Sequence, residues 1–306
     1  MPTAIAFILK NSMSTQTEHA KFYEPIVPSD QIQYREYKLL LKPERFPNEK
    51  GFHKFWKIAH HAAKSLGIKL SKIDETLKPH QREVVFYDTP HFKLYNHGFI
   101  LRKRTFYHHG FPDPKHELVL KFRHPDKKIA LAVDPRPLLP CEYTLKFKEE
   151  ILLPSDGSLG MRMVYSHNCE LDTPNIILTQ RFETTAEAFP ALKKIDANPK
   201  AALSVVNGVS IQEYQVDLGM LDFGHKLEAK ATLAVWRVRT TNAPIVAEFG
   251  YQLKFDSPEA VRRRQRELSE FFYTSVQSRA SDWLHRGTTK TALIYGSGNA
   301  NLKHQE

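Results

Sequence analysis

The chain has 306 residues, 41% of them hydrophobic, and a formal net charge of +10 at pH 7. That length supports one large β-rich domain or two small ones, with a sizeable core, and the basic balance points to a polyanionic partner or to a solvated basic surface. Two cysteines, Cys141 and Cys169, exclude a disulfide framework, and no CxxC pair offers a zinc site.

Residues 1–30 form an N-terminal extension with weak structural signals. The apolar run Ala4–Leu9 is too short for a signal peptide and has no basic stretch before it. No segment approaches the roughly 18 apolar residues of a spanning helix. The reading is therefore a cytoplasmic protein with no membrane partner, in a compartment that keeps thiols reduced.

The first helical period runs from Asn48 to Leu66. Phe52, Phe55, Trp56, Ala59, Ala63 and Leu66 share one face, Asn48 caps the start and Gly67 stands past the end. Strands follow with strict alternation. Phe99–Arg104 sets Arg102 and Arg104 against Phe99 and Leu101. Glu117–Arg123 sets Glu117, Lys121 and Arg123 against Leu118, Leu120 and Phe122. Thr144–Glu150 sets Lys146, Lys148 and Glu150 against Leu145 and Phe147. A short helix is expected over Thr185–Lys194, within a long connection, Tyr165–Pro199, that suits a lid or a small insert. Lys226–Ala231 and Val246–Phe255 alternate again, the latter with Glu248, Gln252 and Lys254 on its polar face. A last helix opens at Ser257-Pro258-Glu259. Linkers are expected at Pro112–Pro114, Pro135–Pro140 and Pro154–Gly160, and a turn at Asn207-Gly208.

This alternation fits an ordinary antiparallel sheet with one face in water. Two details favour a barrel. The polar faces carry charge of both signs and little Ser or Thr, and two amphipathic helices need an apolar surface to cover. The expected fold is α+β, mainly β: a closed antiparallel barrel of about eight strands with a charged interior and flanking helices.

Such a lumen would be lined by Lys42, Arg102, Arg104, Lys121, Arg123, Lys146 and Lys148. Guanidinium forks and ammonium groups match phosphate oxygens. Glu36, Glu117, Glu150, Glu213, Asp217, Glu228 and Glu248 would balance them, and such acids also suit Mg²⁺ or Mn²⁺ bridging to phosphates. His60-His61 and His108-His109 are adjacent pairs that diverge and make poor metal sites. There is no P-loop, GxGxxG or HExxH. Trp236 and Trp283 read as core or cladding residues.

Several segments resemble the CYTH superfamily of triphosphate tunnel enzymes, which includes thiamine triphosphatases, inorganic triphosphatases and class IV adenylyl cyclases. Val85-Phe86-Tyr87-Asp88-Thr89-Pro90, then Leu94-Tyr95, Gly98 and Leu101-Arg102-Lys103-Arg104, carry the strongest likeness. Glu117–Arg123, Ala247-Glu248-Phe249 and Thr289-Lys290-Thr291-Ala292 add to it, over Gln31–Tyr295. The resemblance implies one tunnel domain over residues 31–296, with a tail at 297–306. It implies phosphate grips at Arg102, Arg104, Lys121 and Arg123, continued by Lys146 or Lys148, and a candidate metal ligand at Glu248; Glu36 joins it in one register of the first strand, and Glu228 is a further acid that could hold the ion.

The family opens with ExExK. Here the strand reads Tyr34-Arg35-Glu36-Tyr37-Lys38-Leu39-Leu40-Leu41-Lys42, so either Glu36 matches the first glutamate or Lys42 matches the lysine. In both registers Lys38 and Leu40 stand in motif positions. The expected function is binding of a triphosphate or polyphosphate, with metal-dependent hydrolysis impaired or absent. The alternative is an active Mg²⁺- or Mn²⁺-dependent phosphohydrolase acting on inorganic, thiamine or nucleoside triphosphate. A third reading uses a basic outer surface, but no RNA-recognition signature supports a nucleic-acid partner. Oligomeric state has no sequence signal.

Overall fold

The computed structural model describes residues 32–72, 77–173, 181–254 and 262–296. Its strands are β1 (Tyr34–Leu41), β2 (Lys69–Ser71), β3 (Pro79–Asp88), β4 (Phe99–His108), β5 (Phe111–His124), β6 (Thr144–Leu152), β7 (Arg162–Thr173), β8 (Ser204–Asp222), β9 (Glu228–Val238) and β10 (Pro244–Lys254). Its helices are α1 (Glu49–Ser65), α2 (Lys93–Asn96), α3 (Lys127–Leu131), α4 (Phe182–Ala188), α5 (Arg263–Arg279) and α6 (Lys290–Gly296).

Nine strands hydrogen-bond in a ring, β8-β3-β4-β5-β7-β6-β1-β10-β9 and back to β8, while β2 pairs with the far end of β8. The expected closed barrel is present with two corrections. It has nine strands, not about eight, and it is mixed, because β1 and β6 run parallel with Glu36 opposite Glu150. Side-chain alternation reports which face a residue takes and is blind to strand direction. The long chain between β1 and β6 supplies the crossover that a parallel pair requires.

The apolar half of the alternation faces outward. Tyr37, Leu39, Phe249, Tyr251, Ala231 and Leu233 are buried beneath α1 and α5. Asn48 caps α1 by accepting from the Lys50 amide at 3.0 Å. Three tyrosines fix α5 to the wall. Tyr37 Oη lies 2.8 Å from Ser269 Oγ, Tyr251 donates to the Ser269 carbonyl at 2.6 Å, and Tyr273 donates to the Lys38 carbonyl at 2.8 Å. On another side, α4 and a 3₁₀ turn at Pro190–Lys194 place Phe182, Phe189 and Leu192 against Leu101, Leu120 and Leu171. The expected connection over 165–199 is shorter than that, because residues 165–173 belong to β7, and its part from residue 181 onward clads the wall. One end of the barrel is closed by Leu40, Phe86, Tyr95, Trp236, Ile294 and Tyr295.

Two expected breaks lie inside strands. Pro112–Pro114 belongs to β5, behind a tight turn in which His109 and Gly110 both have positive φ. Asn207-Gly208 is a bulge in β8, with φ of 51° and 64°, where the ladder to β3 shifts register between Val85 and Tyr87. Pro135–Pro140 and Pro154–Gly160 fall in loops between elements. The 1–30 extension, the 297–306 tail and the Ser257-Pro258 cap lie outside the described residues. No helix among the described residues is long and apolar enough to cross a membrane.

Candidate functional site

The inward half of the alternation meets in the lumen around a cavity of about 390 Å³. Its wall includes Lys38, Arg102, Arg104, Lys121, Arg123, Lys148, Lys230 and Lys290 against Glu36, Glu150, Glu170, Glu213 and Glu248, a surplus of three positive charges.

Arg102 and Arg104 reach the lumen because the turn before β4 is held rigidly. The buried Asp88 carboxylate accepts from the amides of Thr89 at 2.7 Å, Leu94 at 2.9 Å and Tyr95 at 3.0 Å. Gly98 follows at φ +80°, where an added Cβ would sit 2.8 Å from the Arg123 carbonyl oxygen. The Asp-Thr-Pro to Arg-Lys-Arg block thus links a capped turn to two phosphate-type donors. Both arginines share Glu117, Arg104 at 2.8 Å and Arg102 at 3.4 Å. Burial tends to raise the Glu117 carboxyl, but Arg104 and Arg102 bring it down to about 2. Burial, with Arg104 alongside, lowers Arg102 to about 10. The Nε atoms of both arginines are buried without a hydrogen-bond partner. Native proteins seldom leave such donors unmatched.

Glu150 is the hub of a second cluster. It is fully buried and takes Lys121, Arg123 at 2.8 Å, Ser166 Oγ at 2.8 Å and Lys38 at 3.7 Å. Burial works against its charge, yet Arg123, Lys121 and Lys38 together hold its carboxyl well below the usual range. Burial and the neighbouring Arg123 push Lys121 well below its ordinary value. Lys38 also holds Glu36 at 3.0 Å, and Lys148 reaches Glu36 at 3.6 Å. Against burial, Lys148 and Lys38 bring Glu36 down to about 2. A third cluster lies toward the closed end. Lys290, the first residue of α6, pairs with Glu248 at 2.8 Å and Glu213 at 3.6 Å, and sits 4.3 Å from the centroid of the Trp236 ring. Glu213 accepts from the Trp236 indole at 2.5 Å and pairs with Arg82 at 2.8 Å.

Of the residues expected from sequence, Arg102, Arg104, Lys121, Arg123, Lys148, Glu36 and Glu248 line the cavity together. Lys146 lies at its edge, paired with the lining residue Glu170. Lys42 and Glu228 lie away from it. Lys42 follows the last residue of β1 and donates to the Asp282 carbonyl at 3.1 Å, and Glu228 is exposed at the start of β9. Alternation carried to a strand's first residue misplaces Glu228, and carried past a strand's end it misplaces Lys42. Lys38, Arg82, Lys230 and Lys290 complete the lining or its ion pairs, and the sequence reading does not single them out as ligands. Three of them have a signal in the sequence: Lys38 is on the polar face of β1, Lys230 is on the polar side of the Lys226–Ala231 alternation, and Lys290 is in the Thr289–Ala292 segment.

The register of β1 is unambiguous. Glu36, Lys38 and Leu40 face the lumen, with Leu40 opposite Glu248 in the ladder to β10. Lys290 brings an ammonium to Glu248 beside Leu40. These residues do not fit a divalent ion. Glu36, Glu150 and Glu248 each already hold a lysine, and no group of three or more His, Cys, Asp or Glu gathers for a metal among the described residues. A fixed ammonium between two carboxylates opposes a second cation there.

A closed barrel with a cation-rich lumen is the class of protein that fold and site define. Its architecture matches the resemblance to the CYTH superfamily carried by the motifs. No family model matches the sequence, and no curated protein matches it. Among solved structures, the chain is similar to a putative adenylyl cyclase from Hippeastrum described as having a dominant triphosphatase activity, at 14% identity and TM-score 0.42, covering 88% of this chain and 98% of that one. It is similar to a putative adenylate cyclase from Bacillus halodurans at 9% identity and TM-score 0.38, covering 87% and 100%. A third, a putative adenylate cyclase from Vibrio parahaemolyticus, shares 15% identity at TM-score 0.34, covering 86% and 99%.

Proposed function

We propose that the lumen binds a triphosphate or polyphosphate anion, and that metal-dependent hydrolysis of it is impaired or absent. The observation that carries this reading is Lys38. Its ammonium lies between Glu36 and Glu150 in a cavity that already has more cations than carboxylates. Condensed phosphate supplies several anionic oxygens that arginine forks and ammonium groups bind well. Each bound oxygen replaces a carboxylate that now partners a cation. Hydrolysis of this class of substrate ordinarily relies on a divalent ion to polarise the phosphoryl group and position water. The lumen offers ammonium groups where such an ion would need free carboxylates.

The test is turnover of purified protein against inorganic triphosphate, thiamine triphosphate and ATP, with Mg²⁺, with Mn²⁺ and with chelator. The expected result is binding of at least one of them with little or no metal-stimulated phosphate release. Robust release that requires metal and is lost in Glu248→Gln would favour the active phosphohydrolase instead.

A further inference from the structure

Outside the barrel, α1 carries a row of cations that the lumen does not use. Residues 50–72 hold six lysines and three histidines and no aspartate or glutamate. Lys50, Lys54, Lys57, His61 and Lys64 recur at alternating steps of four and three, which places them on one helix face. All five are exposed. Phe55, Ala59 and Ala63 occupy the opposite side in the core, with Phe52 and Trp56 packed against it. The row runs about 21 Å at the helical rise. No ion pair joins its lysines to a carboxylate among the described residues. In α5, by contrast, Arg263 and Arg266 are answered by Glu267 and Glu270 one turn on. Like charges at these spacings weaken a helix, and the one acid of α1, Glu49, is its first residue and stands off the steps of the row.

The shape of the row selects a partner. It is narrow and straight, which suits a linear polyanion better than a plane of lipid headgroups. No large apolar side chain stands on the exposed face to enter a bilayer, as surface-lying helices require. Lysine ammonium groups contact phosphates as point charges and read no base pattern. We propose that α1 binds the phosphodiester backbone of nucleic acid without sequence preference, at a site separate from the lumen. The row spans about six base pairs of duplex.

The test uses the full-length protein, two duplex DNAs of unrelated sequence and a single-stranded RNA, each about 20 nucleotides long, titrated by fluorescence anisotropy between about 50 and 200 mM salt. The expected result is equal affinity for both duplexes, with a log–log salt slope of about −3.6 if four lysines each neutralise one phosphate. Preference for DNA or for RNA identifies which backbone is the source, and either supports the proposal. The quadruple variant Lys50→Gln, Lys54→Gln, Lys57→Gln, Lys64→Gln should bind at least tenfold more weakly, with a slope flatter by about 3.6. Replacing the same four by arginine should retain binding. The lumen variant Arg102→Gln, Lys121→Gln should bind nucleic acid as the wild type does. Four results would each overturn the proposal: no binding at the lowest salt, a quadruple variant with unchanged slope, loss of binding in the lumen variant, or binding to phosphatidylserine vesicles with none to nucleic acid.

Discussion

Glu150→Gln removes the one carboxylate that Lys38, Lys121 and Arg123 share, and it does so at a fully buried position. Glutamine preserves the shape and can still accept from Ser166. It cannot balance three cations. Deleting one partner from a buried ionic cluster costs about 3–5 kcal/mol, because the remaining charges stay desolvated and unpaired. For a domain of this size each kcal/mol moves Tm by about 2–4 °C. The expected loss is therefore roughly 6–20 °C by differential scanning fluorimetry in phosphate-free buffer. Tripolyphosphate should then stabilise the variant by more than it stabilises the wild type, since the anion supplies what Glu150 did. A loss below about 1 kcal/mol would mean that the cluster is well hydrated and that Glu150 is not its keystone. Equal ligand-induced shifts in variant and wild type would separate the anion from this cluster.

Lys38→Glu places a third carboxylate with Glu36 and Glu150, so calorimetry with MnCl₂ should show binding in the variant and none in the wild type; binding in both would mean that Lys38 does not block a metal. Acid sensitivity follows from Glu36 and Glu117, whose carboxyls fall from an ordinary 4.5 to about 2 in the folded protein. Each contributes stability that is complete above pH 4.5 and lost as pH drops toward 2. Urea midpoints should fall through that window, and should fall less steeply in Glu36→Gln and Glu117→Gln; identical slopes in the variants would assign the acid sensitivity to other groups. Gly98→Ala forces a Cβ toward the Arg123 carbonyl at a positive φ, and should cost about 1–3 kcal/mol while weakening tripolyphosphate binding through the displaced Arg123 strand; unchanged binding would detach that turn from the site. Trp236 lines the cavity beneath Lys290. Tripolyphosphate should therefore change intrinsic fluorescence, and Trp236→Phe should abolish the change; a signal that persists would come from Trp56 or Trp283.

The barrel was legible because two amphipathic helices demand an apolar wall, and strands that alternate charged with apolar residues supply that wall only by turning their charges inward. Arg102, Arg104, Lys121, Arg123 and Lys148 followed from that alternation directly, since each lies inside a strand rather than at or past its end. Lys42 and Glu228 did not, because the pattern says nothing of where a strand stops facing the lumen. The parallel β1–β6 pair was invisible for a related reason: its residues alternate as they would beside an antiparallel neighbour. Lys290 arrives from a helix that closes the barrel end, and no strand periodicity points to a residue delivered from outside the sheet. Glu150 was one balancing acid among seven in the sequence. Its role as the shared partner of three cations depends on how β1, β5 and β6 converge, which is a long-range fact.

The lumen is proposed to grip condensed phosphate through its own cations, with no need of a divalent ion. Isothermal titration of wild-type protein with tripolyphosphate at low salt, once with EDTA and once with excess Mg²⁺, decides the matter. Saturable one-to-one binding is expected in EDTA, little strengthened by Mg²⁺ and lost in Arg102→Gln with Lys121→Gln. Binding that appears only with Mg²⁺, or that survives the double substitution, would contradict it.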